Sequence, residues 1–103
     1  MSATALEHPP VEALDLATIM GALADGHRLA IVRTLAEDGE RICGTFELGI
    51  SKATRSHHFK ILRESGMTRT RMEGTRRIVS LRRDDLEARF PGLLDALLDA
   101  ASR

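Results

Sequence analysis

The chain has no tryptophan and no tyrosine, and only three of its 103 residues are phenylalanine. Stacking on single-stranded nucleic acid, which relies on aromatic platforms, therefore has almost nothing to work with. One cysteine, Cys43, rules out an internal disulfide framework and fits a reducing cytoplasm. No apolar run approaches the roughly 18–20 residues that a membrane helix requires, so no membrane partner is expected. Met1–Pro10 lacks a basic stretch followed by an apolar core, so no secretory signal is expected and the chain is assigned to the cytoplasm. Phosphate-cradling glycine loops, nucleophile elbows and paired acids suited to acid–base work are also missing. The expectation is a protein that is not an enzyme and needs no cofactor.

Net charge is lacking too, but the zero conceals a segregation by sign. Residues 1–50 carry eight acids against three arginines, and residues 84–103 carry five acids against two. Between them, residues 51–83 hold ten Lys or Arg against only Glu64 and Glu73. A strongly positive block inside a neutral domain is the expected footprint of a polyanion partner, with double-stranded DNA as the expectation that the helix pattern below supports. The acidic flanks oppose indiscriminate coating of that partner. A solvated charged surface would need no such sorting.

Hydrophobic spacing divides the chain into one small domain at 11–101, preceded by an arm at 1–10 that Pro9-Pro10 keep out of helix and that is expected to be disordered. Leu14, Leu16, Ile19, Met20 and Leu23 predict a helix over about 11–23. Asp25-Gly26-His27 breaks it, and Leu29, Ile31, Val32 and Leu35 carry a second to about Glu37. A one- to two-turn helix is expected near Ile42–Leu48. After Gly66 the pattern becomes strand-like, and two β-prone segments joined through Glu73-Gly74 predict a hairpin over about 67–82. Its arginines, Arg69, Arg71, Arg76 and Arg77, are expected to cluster toward the tip. Asp84 is the expected N-cap of a helix to about Phe90, and Leu93, Leu94, Leu97 and Leu98 form a leucine seam over 91–101. With Leu14 and Ile19 of the first helix, these leucines are expected to build a two-fold dimer interface. The competing expectation is that they pack on their own domain.

The central helix is predicted over 52–65, between a good N-cap, Ser51, and a good stop, Gly66. At about 100° per residue, Phe59 and Leu62 share a face with Arg55 and His58 beside them. Ala53, Ser56, His57, Lys60 and Glu64 fall opposite. Short polar and cationic groups on an outward face suit a major groove, where base edges and phosphates lie within reach. The order helix, helix, short helix, Ser-capped helix, basic hairpin, closing helix is that of a winged helix-turn-helix, a mainly α (α+β) fold with a β-hairpin wing.

Two stretches carry a more specific likeness. Ala22-Leu23-Ala24-Asp25-Gly26-His27-Arg28-Leu29-Ala30-Ile31-Val32 and Ser51-Lys52-Ala53-Thr54-Arg55-Ser56-His57-His58-Phe59-Lys60-Ile61-Leu62-Arg63-Glu64-Ser65-Gly66-Met67 resemble the opening stretch and recognition helix of the ArsR-type bacterial repressors. The likeness spans about residues 12–98. It implies a homodimeric transcriptional repressor that binds an inverted-repeat operator and lets go on receiving a signal. Ser51 and Thr54 at the helix start suit phosphate, and Lys52, Ser56, His57 and Lys60 suit base edges or nearby phosphates. The four hairpin arginines suit the flanking backbone or minor groove. Two departures stand out. Arg55 occupies a position where the family usually carries an aliphatic residue, so it faces either core or phosphate, and the segment Cys43–Ile50 is shorter than usual.

Metal-sensing members of the family use paired cysteines near Cys43, or acids and histidines on the last helix. Here Cys43 stands alone, so a metal- or redox-responsive role for it is the alternative signal mode, and no metal site is expected. The sequence names no effector. A winged-helix module that docks on protein through its basic surface is the rival function.

Overall fold

The computed structural model describes residues 6–103. A segment without regular secondary structure, residues 6–10, leads into a 3-10 turn at Val11–Ala13, followed by helices α1 (Leu16–Leu23) and α2 (Gly26–Asp38). A two-residue strand β1 (Arg41–Ile42) and a second 3-10 turn (Cys43–Thr45) precede α3 (Lys52–Ser65). Strands β2 (Thr68–Glu73) and β3 (Arg76–Leu81) form the wing, and α4 (Arg83–Arg89) and α5 (Leu93–Ala101) close the chain. The antiparallel sheet has the order β1-β3-β2.

The first expected helix is split. Leu14 is extended, with ψ 128, and Asp15 restarts the helix by accepting hydrogen bonds from the Thr18 N–H at 3.0 Å and the Thr18 hydroxyl at 2.9 Å. The break turns the Leu14 side chain inward, where it is 2% exposed, and Ile19 is fully buried. Both expected interface residues of this helix are therefore core residues of the single subunit. Leu16 and Met20, one helical turn apart, are its exposed large apolar side chains at 47% and 44%. The leucine seam divides as well: Leu94 is buried, while Leu93, Leu97 and Leu98 are half-buried, the last two packing against the core. The expected helix near Ile42–Leu48 shrinks to the 3-10 turn at Cys43–Thr45, and the closing helix starts two residues early, with Asp84 inside its first turn rather than capping it. The disordered arm expected over 1–10 lies, for residues 1–5, outside the described residues. Its remainder is tied down: the Thr70 N–H donates to His8 Nε2 at 3.0 Å, and Arg82 Nη1 donates to the Pro9 carbonyl at 2.7 Å.

The inner face of α3 anchors it to the core through Phe59 and Leu62, with Phe59 meeting Phe46 edge to face at 5.1 Å. A polar clamp adds to this. Asp25 caps α2, accepting from the His27 and Arg28 N–H groups, while Arg28 Nε donates to the Ala22 carbonyl and Nη1 donates to Nδ1 of the buried His58 at 3.1 Å. Arginine has no acceptor, so His58 is held with Nδ1 bare. Desolvation, the nearby Arg28, His27 and His57 lower its pKa, against the opposing pull of Asp25.

The end of α3 determines where the wing goes. The Gly66 N–H bonds to the Arg63 carbonyl and the Met67 N–H to the Leu62 carbonyl, a left-handed stop in which buried Met67 and Leu62 supply the accompanying apolar contact. Gly66 has φ 88, and a Cβ there would lie 2.0 Å from Leu14 Cδ2. Gly74 in the wing turn also has a positive φ, 62, but open space around it. Gly66→Ala should accordingly cost at least ~2 kcal/mol, from left-handed strain plus the collision, and more than Gly74→Ala, which carries strain alone. Urea denaturation of the two variants checks this; equal losses would remove the Leu14 contact from the account.

Histidine protonation supplies a second check. His8 is also lowered, by desolvation and then by Arg69, Arg82 and Arg63. For both histidines the unfolded chain takes up protons first, so their stabilising effect is complete above the unfolded value near 6.5 and is lost as pH falls through the folded values. Asp15, Asp25 and Glu40 are held below their usual range and act only in stronger acid. The urea midpoint should fall between pH 7 and pH 5, and a combined His8→Gln, His58→Gln variant should flatten that fall.

Candidate nucleic-acid interface

Ser51 starts α3 as a true N-cap: its hydroxyl accepts from the Thr54 N–H at 3.1 Å and donates to Thr54 Oγ1 at 2.9 Å. From that start, Lys52, Ser56, His57 and Lys60 are all exposed, and the buried side chains of the helix are His58, Phe59, Leu62 and Ser65. The outward row of short polar and cationic groups expected from the helical period is thus present on one continuous 14-residue helix. Arg55 differs. It is half-buried and turned into a cleft between α3, the Cys43–Thr45 turn and the wing, with its Nε buried and without a hydrogen-bond partner.

The four wing arginines do not act as one cluster. Strand alternation puts Arg69 and Arg71 on the face away from buried Thr68 and Thr70, and both are engaged there. Arg69 pairs with Asp85 at 3.3 Å. Arg71 reaches across Ile78 of β3 to grip both Glu40 oxygens and also meets Glu73, contacts that raise its pKa. Arg76 and Arg77, beside the Gly74–Thr75 turn, are exposed and line the same cleft as Arg55 and Lys52. The expected grouping of all four near the tip therefore reduces to two.

Ion pairing sorts the whole positive block. Arg69, Arg71, Arg82 and Arg83 have carboxylate partners, and Arg82 is buried between Asp85 and the Pro9 carbonyl. Lys52, Arg55, Lys60, Arg63, Arg76 and Arg77 have none among the described residues. All six belong to α3 or the wing tip. Arg63 was absent from the sequence-derived set, although its spacing of i+8 from Arg55 puts it on the same stripe of the helix.

Ligating groups are sparse. Cys43 is half-buried, and burial raises its pKa against the pull of Arg55 and Arg77, so it is a thiol at neutral pH. Among the described residues it belongs to no cluster of three ligating groups. Asp25, His27 and His58 do form such a cluster, with donor atoms within 4.8 Å of one another. A metal there would have to take His58 Nδ1 from Arg28, or else bind Nε2, which carries the ring proton while Nδ1 accepts. The clamp geometry therefore fits the arginine better than a cation.

Residues 25–69 match the family described as "Bacterial regulatory protein, arsR family". The uncharacterized HTH-type transcriptional regulator YceK of Bacillus subtilis is 45% identical over 84 residues, covering 79% of this chain and 84% of its own length. Among solved structures, the transcriptional repressor BigR from Xylella fastidiosa superposes with a TM-score of 0.64 at 33% identity, covering 82% of this chain and 84% of that one. The homodimeric winged helix-turn-helix DNA-binding domain Mb0332 from Mycobacterium bovis, described as a possible ArsR-family transcriptional regulator, gives 0.64 at 32% identity, covering 82% and 78%. With matched segments spanning most of both chains and a winged helix-turn-helix beneath them, this chain belongs to the ArsR family of bacterial transcriptional regulators.

Proposed function

We propose that the protein is a cytoplasmic transcriptional repressor, not an enzyme, that binds an inverted-repeat operator in double-stranded DNA as a homodimer. The observation that carries this reading is the confinement of every unpaired cation of residues 51–83 to α3 and the wing tip. Two such helices in a two-fold dimer would enter successive major grooves about 34 Å apart. Ser56, His57 and Lys60 face the base edges in this arrangement, with Lys52, Thr54 and Ser51 over the adjoining phosphates. Arg76 and Arg77 hold the flanking backbone, and Arg69 and Arg71 brace the wing instead.

Leu16 and Met20 form the patch proposed for the second copy, joined by the half-buried leucines of α5. An exposed apolar pair on a short helix is disfavoured in a monomer and suits a self-complementary contact. The homodimeric relative supports this assignment.

Selection of bound sites from random duplex DNA tests the reading directly and should return a palindrome with half-sites about one helical turn apart. On that site Ser56→Ala and His57→Ala should each cost about 1–3 kcal/mol at particular base positions. Arg77→Ala should weaken all sequences alike and reduce the magnitude of the salt slope by about 1. Uniform loss for His57→Ala would take it off the base edges, and salt-insensitive binding to protein in place of DNA would favour an interaction module. Light scattering on a Leu16→Asp, Met20→Asp variant should report a monomer with native helicity. A dimer that survives both changes would move the interface elsewhere.

A further inference from the structure

The cleft between α3 and the wing gathers unneutralised cations around one enclosed space. Its volume is about 610 Å³, several times the space one phosphate group fills, and Lys52, Arg55, Arg63, Arg76 and Arg77 line it with no carboxylate among its walls. None of the five has an ion-pair partner among the described residues. Phe59 and Val79, both buried, contribute apolar floor, and Cys43 adds a half-buried thiol. Hydrogen bonds from cationic donors to an anion are of the charge-assisted, stronger kind. Arg55 Nε is the most telling atom. It is shut off from solvent and makes no hydrogen bond, an arrangement that is costly for a cationic N–H unless an acceptor arrives.

We propose that this cleft is a binding site for a small phosphorylated anion, with Arg55 and Arg77 as its principal ligands, and that an occupied cleft releases DNA by competition. A phosphoryl group in the cleft offers the Arg55 guanidinium, once it turns outward, the acceptor that its buried Nε lacks, and a guanidinium fork is matched to two oxygens of one such group. Arg76, Arg77 and Lys52 are the same cations proposed to hold the operator backbone, so their engagement inside the cleft removes them from the duplex. This part of the inference rests on the proposed DNA contacts; the anion site itself does not. A phosphodiester of the duplex offers the same chemistry, so the free protein and the DNA complex are tested separately.

Inorganic pyrophosphate is the probe. Calorimetric titration of the intact protein at constant ionic strength, with chloride as the balancing salt, should give saturable binding of one pyrophosphate per chain. Arg55→Gln and Arg77→Gln should each weaken it tenfold or more, while Arg83→Gln, whose side chain pairs with Asp95 outside the cleft, should leave it unchanged. Urea curves of all three confirm that they fold, and Arg77, on the exposed wing, is the variant least able to disturb the core. Heat that follows ionic strength without saturating, or is equal in all variants, would overturn the site. In the second arm, pyrophosphate should raise the apparent Kd for the selected duplex in proportion to its occupancy of the cleft. Saturated protein that still binds the duplex with unchanged Kd would overturn the competition. If the protein binds no duplex even without pyrophosphate, the DNA reading and the competition fall together, and the free-protein titration still decides the anion site.

Discussion

The orientation of the wing relative to the recognition helix depends on the close approach of Leu14 to Gly66. At that point α3 has to end, reverse into a left-handed conformation and start β2 two residues later, all against a buried leucine that leaves no room for a side chain. Because Met67 packs where the helix ends, the hairpin is anchored at its base, and its Gly74–Thr75 tip returns beside the start of α3. The outward face of the helix and the tip arginines consequently share one cleft. The Asp25–Arg28–His58 clamp fixes the other side of the helix, so its roll is constrained from both directions.

Charge in this protein is partitioned by structural role as well as by position along the chain. Arg71 spans the sheet to Glu40, Arg69 and Arg82 share Asp85, and Arg83 meets Asp95, so acids from flanking segments neutralise the cations that brace the fold. Exposed pairs of this kind add little stability individually. Their larger effect is to leave the unneutralised cations concentrated in one region, where their fields add. A chain with zero net charge thereby presents a strongly positive surface on one side.

Much of this was legible in the sequence because it was local and periodic. Ser51 and Gly66 bracket α3 as the capping rules require, and the 3.6-residue repeat separated Phe59 and Leu62 from Ser56, His57 and Lys60 correctly. The hairpin followed from strand propensity around a glycine turn. What escaped was set by tertiary contacts. The helix expected over 11–23 broke because Asp15 captured Thr18 and Leu14 was drawn into the core, neither of which alters the spacing of apolar residues. Strand β1 is two residues long and has no period to detect, and the fate of each wing arginine depended on an acid 16 or 31 positions away or on strand parity. Burial of Leu14 and Ile19, with Leu16 and Met20 left outside, could be decided only once the break in the helix was known.

The short irregular segment before the first helix holds two groups of the body of the fold. His8 occupies the amide of Thr70 on the edge strand, and the Pro9 carbonyl completes the coordination of the buried Arg82 guanidinium alongside Asp85. Removal of these few residues would take from the Arg82 guanidinium the acceptor of its Nη1, leaving it paired with Asp85 alone, and would uncover a strand edge at the same time. A ring nitrogen and a backbone oxygen in a stretch with no regular secondary structure, several residues ahead of α1, are therefore part of what holds the wing to the closing helices.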